Sequence, residues 1–459
     1  MGRFELPPRV CHLPLERGGV RSPWIEVRAG RGANRGSAYH QRMVFEGTMS
    51  GRMARTTIAE GFHVLPGMGN CLAAETDAGM VIVDGGPVGV APKMIDHLRG
   101  ITDAPVHAIC YSHGHNSYNA GMGAWLEHAA DRGDPPPRLV AHANILNRYA
   151  RYRETHQLQA RMAAVQFPGR NGVPIAALDD AFLHIDPTET FEDHMVIVDG
   201  SRPVEAYWAP SETDDSLALW FPADGLLYGG PATPADSIPN VGTPLRTQRF
   251  TIRWADTLDR LAALGAETLV TEFGPVVSGA EMVRERLTMT AEAMRWLRAE
   301  VVDRMNRGMS EAEVLADMSY PAELFDHPWM APTYGCADYI VRDLYREENG
   351  WWDRNPTTLH PSPPDEAAVE ILSALGDPAT VLNRAKELAA EGRTQLALHV
   401  IDLVALAPGD EPVVVEARAV KAEMCRGRSE EVEPFVSKSC YRSSARLLVQ
   451  GHTSWQDLP

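Results

Sequence analysis

The chain changes character near residue 280. Before that point, ten short apolar runs bounded by turn residues read as strands: 62–67, 71–76, 80–84, 106–111, 138–141, 195–200, 204–208, 216–221, 226–230 and 268–271. After it, strand-like runs stop and helical spacing takes over. The first part intersperses these runs with helical stretches such as Met94–Leu98, which argues α/β layering. An αββα sandwich is compatible with this order, although periodicity alone does not single it out. The expected division is an N-terminal arm over 1–55, rich in Arg, Gly and Pro, then a sandwich over 56–280 and an all-α region over 281–450.

The helical half carries its own punctuation. Residues 281–308 have helical spacing and stop at Gly308, while Ser310 and Glu313 have the spacing of a capping box. Asp377-Pro378 opens a further helix, Gly392 closes it and 396–406 supply the next, so 365–426 read as TPR-like helical hairpins. Met289, Trp296, Leu297, Val301 and Met305 form one apolar stripe, suited either to a subunit interface or to packing on the sandwich.

The formal net charge is -18, which disfavours a nucleic-acid partner, since phosphate backbones are repelled; a local basic pocket for a small anion remains compatible. No run approaches the roughly 20 apolar residues that span a bilayer, and the N-terminal stretch lacks a secretory apolar core. The six cysteines (Cys11, Cys71, Cys110, Cys336, Cys425 and Cys440) are scattered, as in a reduced, cytoplasmic protein.

The chemistry-bearing stretch is Ser112-His113-Gly114-His115-Asn116-Ser117-Tyr118-Asn119-Ala120-Gly121. Two histidines at i and i+2 after an apolar strand are able to aim both rings at one point above a sheet edge, and imidazole is a common metal ligand. Read without other context, two polar loop histidines fit as well.

This stretch resembles the His-x-His-x-Asp-His signature of the metallo-β-lactamase superfamily. The segment 79–87 resembles the strand and turn holding that superfamily's structural Asp, here Asp84. The segment 209–230 resembles the alkyl-sulfatase branch, where a Glu starts a hairpin over the site, and 334–361 is similar to that branch's dimerisation segment. The resemblance covers about residues 56 to 450 and implies a homodimer. Carried over residue by residue, it implies His113, His115 and Glu212 as ligands of one metal. The branch's Asp and second His fall on Ser117 and Tyr118, its bridging Glu falls near Pro231, and its last His falls at Glu272 or Phe273. One metal site is thus retained and the second has lost most of its ligands.

The expectation is a metal-dependent hydrolase of a small anionic ester, with one zinc (Zn) ion and metal-activated water. Glu272 is a candidate replacement ligand. Tyr118 and Asp84 are candidate catalytic groups, Tyr118 as a donor and Asp84 as a brace for the loop and histidines. Arg246 and Asn240 are candidates for the substrate anion, with Arg249 or Arg253 as alternatives to Arg246. His142 is expected to be structural. The same ligands suit iron (Fe) or manganese (Mn), so a mononuclear iron enzyme of secondary metabolism is a second reading. A metal-poor, non-catalytic family member is the third.

Overall fold

The computed structural model describes residues 56–167 and 184–454; the expected arm lies outside the described residues. One sheet runs in sequence order: β1 (Thr56–Ala59), β2 (Phe62–Gly67), β3 (Gly69–Thr76), β4 (Gly79–Val83), β5 (Val106–Cys110), β6 (Arg138–His142) and β7 (Glu189–Phe191). The other has the order β13 (Val277–Ser278), β12 (Thr268–Thr271), β11 (Leu226–Gly230), β10 (Leu217–Phe221), β9 (Val204–Trp208) and β8 (His194–Val198). β1 to β4 pair antiparallel, while β4, β5, β6 and β7 pair parallel, so β4, β5 and β6 all end at one edge. The first His-bearing loop leaves from that edge.

Alternation along the strands builds the layers. Leu72, Val81, Val83, Ala108 and Val140 from the first sheet meet Ala206, Leu219, Phe221, Tyr228 and Val270 from the second in one buried core. The intervening residues point outward. Ala73, Met80, Ile82 and Ile109 pack under helices Ala91–Arg99, Met122–Arg132 and Asn144–Gln166. Ala218, Trp220, Leu227 and Leu269 pack under helices Thr251–Ala262 and Ala280–Asn306. Both faces of the central strands are therefore buried, which is why they read as continuous apolar runs. The architecture is the expected αββα sandwich followed by helices.

The helical half follows its caps. Gly308 has φ +84°, and Ser310 and Glu313 form the reciprocal capping box ahead of helix Glu311–Asp317. The Asp377 side chain accepts the Ala379 N–H at the start of helix Pro378–Ala390. Helices Pro364–Ala374, Pro378–Ala390, Thr394–Ala405, Pro412–Glu431 and Phe435–Val449 share a separate core. The last of these returns to the sandwich, where Ser443 Oγ donates to Val165 O at 2.7 Å and Leu447 joins the core beneath helix Asn144–Gln166. On helix Ala280–Asn306, Leu297 and Val301 are buried, and Met289, Trp296 and Met305 pack against the same core. That stripe serves internal packing on the sandwich.

The two halves meet backbone to backbone. Gly242 has φ +68°, and a Cβ there would stand 2.0 Å from Tyr339 O on helix Ala337–Asn349. A carbonyl inside a helix has no freedom to retreat. Gly242→Ala should lower stability by about 3 kcal/mol or more. Gly308→Ala, also at positive φ but facing open space, should cost only about 1–2 kcal/mol. Denaturant midpoints of the two variants check the difference.

Candidate metal centre

Among the described residues, one group of potential ligands converges: one ligand atom each from His113, His115 and Glu212 lies within 4.8 Å of the others. The loop carrying the histidines is braced from three directions. Asp84, at the end of β4 with φ 61°, accepts the Ser112 N–H at 2.8 Å and the Asn119 Nδ2 at 2.9 Å through one oxygen. Asn119 in turn accepts the Gly85 N–H at 2.9 Å. Asp215, fully buried, accepts the Gly114 N–H at 2.6 Å with one oxygen and Arg148 Nε at 2.6 Å with the other. Gly114 is required there, because a Cβ would come within 2.7–2.9 Å of Arg148, Asp215 and Ile145.

The rings are held for ligation. His113 Nδ1 meets the Ser112 hydroxyl at 2.9 Å, so His113 Nε2 faces His115 Nδ1 at 2.7 Å. Burial lowers the His113 pKa to about 4 and holds His115 well below the usual range, with the neighbouring His113 adding to the effect. Glu212 Oε1 lies 3.7 Å from His115 Nδ1 and accepts from Asn240 Nδ2 at 2.9 Å and Arg249 Nη2 at 3.1 Å. Two neutral imidazoles and a carboxylate are a donor set that fits a divalent transition metal. The Asn240 Oδ1 beside them is buried and accepts from no donor among the described residues.

Glu272 stands apart from this trio. Its carboxyl accepts the Tyr118 hydroxyl at 2.5 Å, and the Tyr118 ring sits edge-on to His113 at 4.3 Å. Burial, then the nearby Glu212 charge, pushes the Glu272 carboxyl well above the carboxylate range; burial does the same to the Tyr118 hydroxyl. Where the resemblance leads to a second metal, this chain places a hydrogen-bonded, proton-holding pair.

A cavity of about 510 Å³ opens from His115, Glu212 and Glu272. Of the three arginines weighed from sequence, Arg249 reaches Glu212, and Arg246 lines the cavity with a hydrogen bond to Tyr334. Arg253 lies over the Phe250 ring, 4.7 Å from its centroid. Asn240 lines the cavity but spends its amide on Glu212. His142 stacks on Trp208 at 5.2 Å and accepts the Asn144 N–H at 3.2 Å, a packing role. Sequence reasoning missed Arg148, Tyr334 and the part played by Asp215, which read as a loop acid in Asp214-Asp215. The available signal was an acid completely surrounded by strand-forming residues on its C-terminal side.

Fold and site together are those of a metallo-β-lactamase-like sandwich with a candidate metal-ligand cluster at one sheet edge. The metallo-beta-lactamase superfamily model matches residues 64–272 and the alkyl sulfatase dimerisation model matches 310–451. The chain thus carries a metallo-β-lactamase-superfamily region followed by an alkyl sulfatase dimerisation region, in that order. It is 28% identical to a linear primary-alkylsulfatase of a Pseudomonas species over 77% of this chain and 69% of that one. It is 24% identical to an (R)-specific secondary-alkylsulfatase of a Pseudomonas species, over 86% of this chain and 63% of that protein. An alkyl/aryl-sulfatase of Saccharomyces cerevisiae is 21% identical, with 57% of its length spanned. The solved structure of the stereoselective inverting sec-alkylsulfatase Pisa1 from a Pseudomonas species superposes with a TM-score of 0.77 at 21% identity, over 90% of this chain and 68% of that one. That likeness concerns the fold.

The Asp215 brace yields a direct test. Asp215→Asn leaves the Arg148 charge, 10% exposed, without its buried counter-ion. The expected loss is about 3–5 kcal/mol. Asp214→Asn, at a carboxylate 47% exposed on the same arginine, should cost under about 1 kcal/mol. Chemical denaturation of the metal-free protein checks both.

Proposed function

We propose that the chain is a hydrolase that uses water to cleave a small anionic ester at a single-metal centre held by His113, His115 and Glu212. The observation that carries this reading is the approach of those three ligand atoms to within 4.8 Å of one another. Zinc matches the donor set best, and iron or manganese would use the same side chains. Three protein ligands leave coordination positions open, and a cation bound there supplies a polarised ester oxygen and a water of lowered pKa. The rest is the work of the chain's own residues. Asp84 and Asp215 fix the histidine turn. Asn240 and Arg249 orient the Glu212 carboxylate. Arg246 presents paired N–H donors to an oxyanion in the cavity. Tyr118, kept protonated, offers a hydrogen bond beside His113.

The relatives are named as sulfatases of alkyl and aryl esters, so sulfate esters are the first substrates to try. The helical region, 281–450, supports a homodimer, and the match to a dimerisation model favours it. Among the described residues no helix is long and apolar enough to cross a membrane. The unpaired thiols of Cys71, Cys110 and Cys425 suit work in the reducing cytoplasm.

One observation favours a second reading, a metal-poor binding protein: Arg249 already compensates the Glu212 carboxylate. Metal analysis of protein purified without chelator separates the two. The hydrolase reading expects about one equivalent of a transition metal, falling below about a tenth in His113→Ala and Glu212→Ala. Both variants should lose hydrolysis of p-nitrophenyl sulfate by about 100-fold or more. Wild-type protein with less than about a tenth of an equivalent of every transition metal would leave the binding reading standing.

A further inference from the structure

Four arginines line the cavity, and they divide into two kinds. Arg148 is neutralised by Asp215 and Asp214 at 2.6 Å each, and Arg249 by Glu212 at 3.1 Å. Arg151 and Arg246 have no carboxylate within ion-pair distance among the described residues. The acids that line the cavity are Glu212 and Glu272; Glu212 is engaged by Arg249, and Glu272 by the Tyr118 hydroxyl. Two guanidiniums that line the cavity, Arg151 and Arg246, are thus without a carboxylate of their own among the described residues, in a protein whose net charge is -18.

Their placement is specific. Arg151 follows Arg148 by one turn of helix Asn144–Gln166, about 4.5 Å of rise. Arg148 is bonded to the carboxylate that takes the Gly114 N–H, and Arg151 lines the same cavity as His115 and Glu212. Arg151 lies over the Tyr152 ring, 5.2 Å from its centroid, which leaves its N–H edges for a ligand. Arg246 comes from a different element, the loop 238–250, and bonds to the Tyr334 hydroxyl.

We propose that this cavity is built for a ligand carrying two negative charges, gripped by Arg151 from helix Asn144–Gln166 and Arg246 from the 238–250 loop, rather than for a singly charged ester. A monoanion would compensate only one of the two guanidiniums. A dianion would satisfy both with charge-assisted hydrogen bonds. Two ligand chemistries meet this requirement: both charges on one group, as in a phosphate monoester, or two carboxylates on one organic molecule. The proposal rests on the hydrolase reading only for the location of the site, since the arginines act on the ligand whether or not metal is bound.

The test is calorimetric titration of the full chain at pH 8 and fixed ionic strength, with and without zinc. Two matched pairs of probes are used: p-nitrophenyl phosphate against p-nitrophenyl sulfate, and terephthalate against benzoate. At that pH the phosphate ester is a dianion and the sulfate ester a monoanion. At least one dianion should bind about tenfold or more tightly than its monoanionic match, in the metal-free protein as well. A preference in the phosphate pair alone places both charges on one group; a preference in the terephthalate pair alone places them apart. Arg151→Gln and Arg246→Gln should each remove most of the preference, read as the ratio of dianion to monoanion affinity in the same variant. Equal binding of dianions and monoanions, or a preference that survives in Arg151→Gln, would overturn the proposal. Because the metal-free arm carries the decision, absence of metal or of hydrolysis would sink the hydrolase reading without touching this one.

Discussion

Asp215 is the interaction on which the centre depends. One of its oxygens fixes the peptide between the two histidines, and the other fixes the helix that forms a wall of the cavity. A carboxylate with no solvent exposure is tolerable only when its charge is compensated, and here a guanidinium and a backbone N–H do so at 2.6 Å. The consequence is geometric. The turn Ser112-His113-Gly114-His115 cannot shift without breaking a buried ion pair, so the two rings hold a fixed mutual position with or without a ligand. Asp84 adds the second constraint from β4, and its left-handed backbone is the cost of aiming its carboxylate under the turn.

Much of this was legible in the sequence, for physical reasons that vary by element. The central strands are buried on both faces, so they wrote long apolar runs. β1, β7 and β13 have only four, three and two residues, too few for a pattern to emerge. Helix Asn144–Gln166 was not read because its cavity face carries Arg148, Arg151 and Gln159, which interrupt the apolar stripe that a helix normally shows. The convergence of His113, His115 and Glu212 was legible from motif order. The arginines were not, because 238–250 is a loop, where no periodicity fixes which side chains face inward; position 249 rather than 246 reaches Glu212.

Ser117 and Tyr118 stand where the resemblance leads to two further ligands, and carboxylates buried close together without a counter-charge repel one another. Glu272 lies near both Glu212 and Asp84, and burial among these charges keeps its proton on. Tyr118 supplies the hydrogen bond that a neutral or charged Glu272 needs in the absence of water. Ser117, with φ 75°, lets the chain turn so that the Tyr118 ring lies against His113. Tyr118 and Glu272 thus form one hydrogen-bonded pair beside His113, and Ser117 supplies the turn that leads into it.

The same reasoning explains why the helical half belongs to the site. Tyr334 and Asp343 both lie within the matched dimerisation region. The first takes hydrogen bonds from Arg246 and Gln166, and the second accepts the Arg249 N–H at 3.3 Å. Gly335 brings its backbone against Ile238, Pro239 and Asn240, and Gly242 lies directly on Tyr339. The loop that carries Asn240, Arg246 and Arg249 is therefore shaped from outside, by helices, while the histidine loop is shaped from beneath, by the sheet. The His113, His115 and Glu212 side chains come from segments at strand ends, whereas Arg246 and Arg249 come from a loop clamped by the helical half. A change in helix packing near Tyr339 would therefore bear on Arg249 and Arg246 before it reached His113 and His115, which Asp84 and Asp215 hold from the sheet side.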